Sequence, residues 1–205
     1  MNIKEALAEL RKNEKRKFDQ SIDLVVNLKG IDAKKDNVST IVNLPNPIRE
    51  KKVCGFFSKK SSLIDTVTQL DFPRYKDKKQ LKILVKKYDF FVAEPKLMPS
   101  VATTFGKVLG PAGKMPSPQL GVLMQEGEQA LKEILEKIST ALKIRVKENS
   151  FKVSVGKEKM SDEKIIGNIE AVYSGLVNAL PTKRENVKSV MLKLTMSKPI
   201  KVEIK

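Results

Sequence analysis

The sequence predicts a mixed fold in two parts: an antiparallel α+β domain assembled from both chain ends, interrupted by an inserted α/β domain. Three observations lead there. Near both ends, apolar and polar side chains alternate with a period of two, as in strands with one face on a core and one in water. In the middle, short continuously apolar runs are separated by helical periodicity, as in parallel strands covered on both faces. The pattern changes twice, which sets an outer domain of residues 1–50 and 149–205 and an inserted domain of residues 51–148.

In the first outer segment, Ile3, Ala6, Leu7 and Leu10 share one face of a short amphipathic helix over residues 3–13. From Phe18 the period becomes two. Phe18, Ile22, Leu24, Val26 and Leu28 point one way, and Asp19, Ser21, Asp23 and Asn27 mostly the other. Gly30 to Asn37 is a polar loop, and a second strand from Val38 to Leu44 is closed by Pro45-Asn46-Pro47.

The inserted segment opens with the apolar run Val53-Cys54-Gly55-Phe56-Phe57. Helical periodicity follows at Leu63, Ile64 and Val67, and again at Leu81, Leu84 and Val85. Asp89 to Ala93 is a second buried strand, and Ala130, Leu131, Ile134, Leu135 and Ile138 mark an amphipathic helix between Glu126 and Leu142. Strand and helix alternating at this spacing point to βα units and a parallel sheet.

After Asn149-Ser150 the alternation returns at Phe151, Val153 and Val155. Ser161 stands where an N-cap would, with Asp162 and Glu163 in the first turn and Ile165, Ile169, Val172 and Leu176 as the buried stripe. Val190, Leu192, Leu194 and Met196 then alternate with Ser189, Met191, Lys193 and Thr195, which sets Met196 on the core side. Ile200, Val202 and Ile204 form the last strand.

Composition narrows the function. The chain has 40 Lys+Arg against 24 Asp+Glu, a net charge of +16, with no His, no Trp and one Cys. Without His there is no imidazole base, triad or metal ligand, so catalysis would have to rest on carboxylates or lysine. Cys54 alone forms neither an internal disulfide nor a Cys-rich zinc site, which suits a reducing compartment. No apolar run approaches the about 20 residues of a spanning helix, and the acids Glu5 and Glu9 are foreign to a signal peptide, so a cytoplasmic protein without membrane contact is expected.

A surplus of this size favours a polyanionic partner. Only six of the basic residues are Arg (Arg11, Arg16, Arg49, Arg74, Arg145 and Arg184), so on a nucleic acid the backbone rather than base edges would carry much of the affinity. The densest basic run is Arg11 to Lys17. By segment the net charge is +2 in 1–50 (10 basic, 8 acidic), +9 in 51–148 (19 and 10) and +5 in 149–205 (11 and 6).

Gly110-Pro111-Ala112-Gly113-Lys114-Met115-Pro116-Ser117-Pro118 is the most unusual string and reads as an irregular exposed loop, with Lys114 able to reach a phosphate. It lacks P-loop spacing and matches a Gly-x-x-Gly nucleic-acid clamp only weakly. After the first buried strand the chain has Ser58-Lys59-Lys60-Ser61-Ser62 where a dinucleotide site needs its glycines. Phe56, Phe57, Phe90 and Phe91 sit in apolar runs and are assigned to core, while Asp19, Asp23, Asp32 and Asp36 are only loosely grouped. No catalytic residue, metal site or cofactor is assigned.

Several strings together resemble the L-one family of large-subunit ribosomal proteins. They are Lys17-Phe18-Asp19-Gln20-Ser21-Ile22-Asp23, the loop Leu109 to Pro116, Val155 to Glu163, Asn168 to Val172, and Leu192-Lys193-Leu194-Thr195-Met196. The Lys114-Met115-Pro116 loop is similar to that of the archaeal and eukaryotic branch. The resemblance implies a split α/β domain with an inserted Rossmann-like three-layer domain. It also implies a constituent of the large subunit that binds large-subunit rRNA, belongs to the mobile stalk at the exit site and assists release of deacylated exit-site tRNA. Several members repress translation of their own mRNA through a leader that imitates the rRNA site. No homo-oligomer is expected.

Carried over by position, the RNA-facing patch comprises Lys17, Phe18, Ser21, Asp23, Thr195, Met196, Ser197 and Lys198, with weaker secondary contacts at Gly110, Gly113, Lys114 and Lys157. Oxygens of Ser21, Asp23 and Thr195 on one sheet edge could accept from a ribose 2′-OH, which distinguishes RNA from DNA. Two positions depart from the family pattern. Ser197-Lys198 stands where the family has Gly-Pro, and Ala112 stands where its loop carries Arg. The rival readings are a cytoplasmic enzyme using the inserted domain on an anionic ligand, and a basic nucleic-acid chaperone.

Overall fold

The computed structural model describes residues 1–12, 16–31, 38–118, 120–122, 128–146 and 148–204. Asp32, Asp36, Glu126 and the middle of the basic run, residues 13–15, lie outside these. The fold is mixed α+β. The chain divides into two compact units, Met1–Ile48 with Thr140–Lys205, and Arg49–Ser139.

The outer unit holds a four-stranded antiparallel sheet. β1 (Ser21–Leu28) lies between β7 (Ser150–Lys157) and β8 (Val187–Leu194), and β9 (Ile200–Val202) flanks β8, giving the order β7-β1-β8-β9. Ile22, Leu24, Val26 and Leu28 bury one face, as the alternation predicts. α1 (Ile3–Arg11) packs on β8 and β9, and α5 (Asp162–Ala179) on β7. Their apolar stripes, Ile3, Ala6, Leu7 and Leu10 on one and Ile165, Ile169, Val172 and Leu176 on the other, close a single core with the sheet.

α5 also carries a small sheet of β2 (Ser39–Asn43) and β6 (Ala141–Arg145). A Cβ at Gly175 would stand 2.3 Å from Val42 Cγ2, so only glycine lets the helix approach β2 this closely. Asn168, fully buried, ties the same helix down by accepting the Asn46 N–H (3.1 Å) and donating to the Asn46 and Val155 carbonyls (both 2.9 Å).

Ser161 occupies the N-cap position of α5, but its side chain makes no capping bond. Arg11 secures that end instead, pairing with Asp162 at 2.6 Å and donating to the Glu158 and Met160 carbonyls. The amphipathic helix of residues 126–142 ends earlier than its periodicity suggests. α4 spans Glu128–Thr140, and Ala141–Arg145 turns extended to pair with β2 in the outer unit.

The inserted unit has a parallel sheet in the order β4-β3-β5, built from β3 (Val53–Phe56), β4 (Asp65–Val67) and β5 (Phe90–Ala93). Leu63, Ile64 and Val67 do not form the helix that their spacing predicts. Three apolar residues cannot nucleate one against the open edge of β3, and β-branched Thr66 and Val67 pair there. Cys54, Phe56, Phe91 and Ala93 pack with α2 (Lys78–Lys87) and α3 (Met98–Ala112). Phe57 and Val92 pack with Leu131 and Ile138 of α4. The sheet is thus covered on both faces. α3, an element beyond those that the sequence predicts, buries Val101, Phe105 and Leu109, which recur every fourth residue.

Candidate nucleic-acid interface

One end of the outer sheet joins residues far apart in sequence. Because β1 and β8 pair with Ile22 opposite Leu194, Ser21 meets Thr195. The Thr195 N–H donates to the Ser21 carbonyl (3.1 Å), and the Ser21 N–H donates to Thr195 Oγ1 (3.1 Å). On the other side of β1, Lys157 is the partner of Ser21, so it joins the main cluster rather than a secondary contact.

β8 stops at Leu194, and residues 195–197 form a turn. Ser197 closes it: its N–H donates to the Leu194 carbonyl (3.2 Å), and its Oγ accepts the Leu194 N–H (2.8 Å). A side chain capping its own turn in this way gives Ser197 a structural use at the position where the resemblance leads to glycine. Beyond the end of the strand, alternation no longer directs side chains. Met196 is therefore 65% exposed and not on the core side. Phe18 leaves the inward set for the same reason, since β1 begins only at Ser21, and it is 52% exposed. Lys17 and Lys198 are exposed beside them in sequence.

Gln20, which motif reading did not single out, organises this end. It is buried, accepts the Met196 N–H on its side-chain oxygen (3.2 Å), and accepts the Glu158 N–H on its backbone carbonyl (2.8 Å). The available signal is a polar residue at an inward position of the alternation that starts at Phe18. Asp19, which composition and spacing place only in a loose carboxylate group, belongs to this end as well. One of its carboxylate oxygens lies 3.9 Å from Lys157 Nζ, and the other is buried without a hydrogen-bond partner among the described residues.

Asp23 does not present its oxygens with Ser21 and Thr195. It lies on the face away from the core, between Ser154 and Lys193, but is only 6% exposed because Lys152 closes over it with Nζ 2.8 Å from the carboxylate. A carboxylate with little water is stabilised by such a neighbouring ammonium and is poorly placed to meet a second ligand.

The glycine-proline string lies in the inserted unit, and only its first three residues, Gly110 to Ala112, are helical. Gly110 and Ala112 belong to α3, and Gly113 ends it at φ 72°, in the left-handed region that favours glycine. Lys114 N–H reaches back to the Leu109 carbonyl and Gly113 N–H to that of Gly110, a Schellman closure. Lys114 Nζ is directed inward and donates to the Val85 and Tyr88 carbonyls, both at 2.7 Å. These are carbonyls at the C-terminal end of α2, where a cation is favoured. Lys114 therefore closes a helix end and is not held out toward a phosphate.

Other titratable groups of the inserted unit have structural surroundings. Burial, aided by Asp65, pushes the Cys54 thiol up to about 12, far from a reactive thiolate. Burial lowers Lys51 to about 8, opposed by Asp89, while Lys51 Nζ donates to the Ile138 and Ser139 carbonyls at the end of α4. Among the described residues, no group of three or more Cys, Asp or Glu side chains could hold a metal ion, and no helix is long and apolar enough to cross a membrane.

The family model of the ribosomal protein L1p/L10e family matches residues 10–198. The large ribosomal subunit protein uL1 of Thermofilum pendens is 36% identical, over 98% of this chain and 90% of its own length. Proteins of the same name from Nanoarchaeum equitans and Archaeoglobus fulgidus are 33% and 31% identical, covering 94% and 98% of this chain and 95% of each relative. Since the family model and these relatives run through both units and through both halves of the Ser21–Thr195 end, the chain belongs to the ribosomal protein L1p/L10e family.

Proposed function

We propose that this chain is a non-enzymatic, cytoplasmic constituent of the large ribosomal subunit that binds large-subunit rRNA through the Ser21–Thr195 end of the outer sheet. The observation that carries the reading is the convergence there of a locked backbone pair, Ser21 with Thr195, and two exposed large side chains, Phe18 and Met196. Phe18 and Met196 stand close to this pair in the chain, so a partner bound at the polar edge would also cover apolar surface. Phe18 offers a face for base stacking, and Met196 an apolar surface for a sugar or base. Thr195 Oγ1 and the partly exposed Asp19 supply acceptors for ribose hydroxyls, the role that Asp23 is too enclosed to fill. Lys17, Lys157 and Lys198 add phosphate attraction. Family membership supports a place in the exit-site stalk, assistance to tRNA release and repression of the chain's own mRNA.

The test is affinity for the large-subunit rRNA site against an unrelated RNA. Thr195→Ala and Phe18→Ala should each weaken the specific complex by about 1–3 kcal/mol and leave the unrelated complex nearly unchanged. Equal loss on both RNAs would favour a basic chaperone and defeat the reading.

A further inference from the structure

We propose that the outer face of α2 in the inserted unit is a second, sequence-independent contact for the RNA phosphate backbone. The inference rests on the RNA-binding reading above but concerns a different surface. α2 is Lys78-Lys79-Gln80-Leu81-Lys82-Ile83-Leu84-Val85-Lys86-Lys87: five lysines and no acid in ten residues. Leu81, Leu84 and Val85 are buried in the inserted core, whereas Lys79, Lys82, Ile83 and Lys86 are exposed. These four lie at helical spacing on one stripe and span about 10 Å of helix axis.

The charge pattern is not that of an ordinary solvated helix. α4 in the same unit mixes its signs, with Glu133 four residues before Lys137, the arrangement that supports a helix. α2 instead sets Lys79 three residues before Lys82 and Lys82 four before Lys86, so neighbouring charges repel along the stripe. Its first turn carries lysines where the helix dipole disfavours cations, and the Asp77 cap there accepts the Lys79 N–H (3.0 Å). Lys87 at the far end pairs with Asp65, but no carboxylate among the described residues pairs with Lys79, Lys82 or Lys86.

A helix that keeps such repulsion is complementary to an external polyanion, which would relieve it on binding. Lysine, as a flexible point charge, suits phosphates rather than base edges. Ile83, 62% exposed in the middle of the stripe, can lie against a sugar between phosphates.

The test uses the full chain with Lys79→Gln, Lys82→Gln and Lys86→Gln combined. Binding to large-subunit rRNA is measured as a function of salt. Loss of about three phosphate contacts should flatten the log–log salt dependence by about 2–3 units. The corresponding triple Arg variant should keep the wild-type slope, and the Gln variant should unfold at the wild-type temperature or above it. An unchanged slope in the Gln variant overturns the proposal. So does loss of binding to polyglutamate with the RNA slope intact, which would assign α2 to an acidic protein. Thr195→Ala separates the two readings, because it should lower affinity with little change in slope. If it lowers affinity while the α2 variant changes nothing, only the α2 surface is wrong; a wild-type chain that fails to bind RNA overturns both.

Discussion

The two units carry nearly the same charge but set different side chains beside it. Divided as the structure divides the chain, the outer unit has 23 basic and 14 acidic residues, a net of +9, and the inserted unit 17 and 10, a net of +7. The surplus that composition alone had concentrated in the middle segment evens out because Lys143, Arg145 and Lys147 fall in the outer unit. Yet the outer unit brings hydroxyls, a carboxylate, exposed Phe18 and Met196 and lysines to one sheet end, while the inserted unit closes both faces of its sheet with apolar side chains. In the proposed reading, net charge attracts RNA and the convergence of fixed polar groups selects it. An antiparallel sheet covered on one side leaves a polar face free for that work, and a parallel sheet sandwiched between helices does not.

The largest test of the contrast is to damage one unit alone. Phe105 is fully buried, with its ring centroid 4.8 Å from that of Phe56 and 5.1 Å from that of Phe72. Phe105→Ala should destabilise the inserted unit by about 3–5 kcal/mol in denaturant unfolding. Specific rRNA affinity at low denaturant should persist. A proportional loss of affinity would show that the outer unit does not recognise RNA by itself.

Next in size is the covered carboxylate of the outer sheet. Lys152→Met strands Asp23, and because Lys152 is itself half-exposed the expected cost is about 1–2 kcal/mol, smaller than for a fully buried pair. Adding Asp23→Asn should recover most of that loss. If Asp23→Asn alone instead removes RNA affinity without a stability change, Asp23 belongs to the interface after all.

The last test, which is read as a slope and leaves the RNA site untouched, concerns pH. Lys51 falls from its ordinary 10.5 to about 8 in the folded protein, so between these values the unfolded chain binds more protons than the folded one. Stability of the inserted unit should therefore rise as pH increases from about 8 to 10.5, relative to Lys51→Met, which removes the titrating group. A constant difference between wild type and variant across that window would contradict the assigned surroundings of Lys51.

Much of the molecule was readable beforehand where one element could satisfy itself locally. The alternation of β1, β7 and β8 and the stripes of α1, α4 and α5 each lie within a dozen residues or so, and they mark the right elements. The errors share a cause. Asp65 to Val67 became a strand, not part of a helix, because β3 offered an edge. Phe18 and Met196 turned outward because β1 begins and β8 ends just short of them. Lys114 turned inward because the end of α2 lay within reach.

What the sequence determined by itself was the class of each segment, the mixed architecture, the basic character and the motif strings at residues 17–23 and 192–196. Periodicity and composition are local, so they survive without a fold. The tertiary structure alone decided that Ser21 and Thr195 lock by two hydrogen bonds, with Lys157 across the strand, that Lys152 covers Asp23, and that Gln20 holds the turn beside Met196. Those outcomes depend on strand register, which is set by how two distant segments bury their apolar faces against a shared core; neither segment carries that information alone.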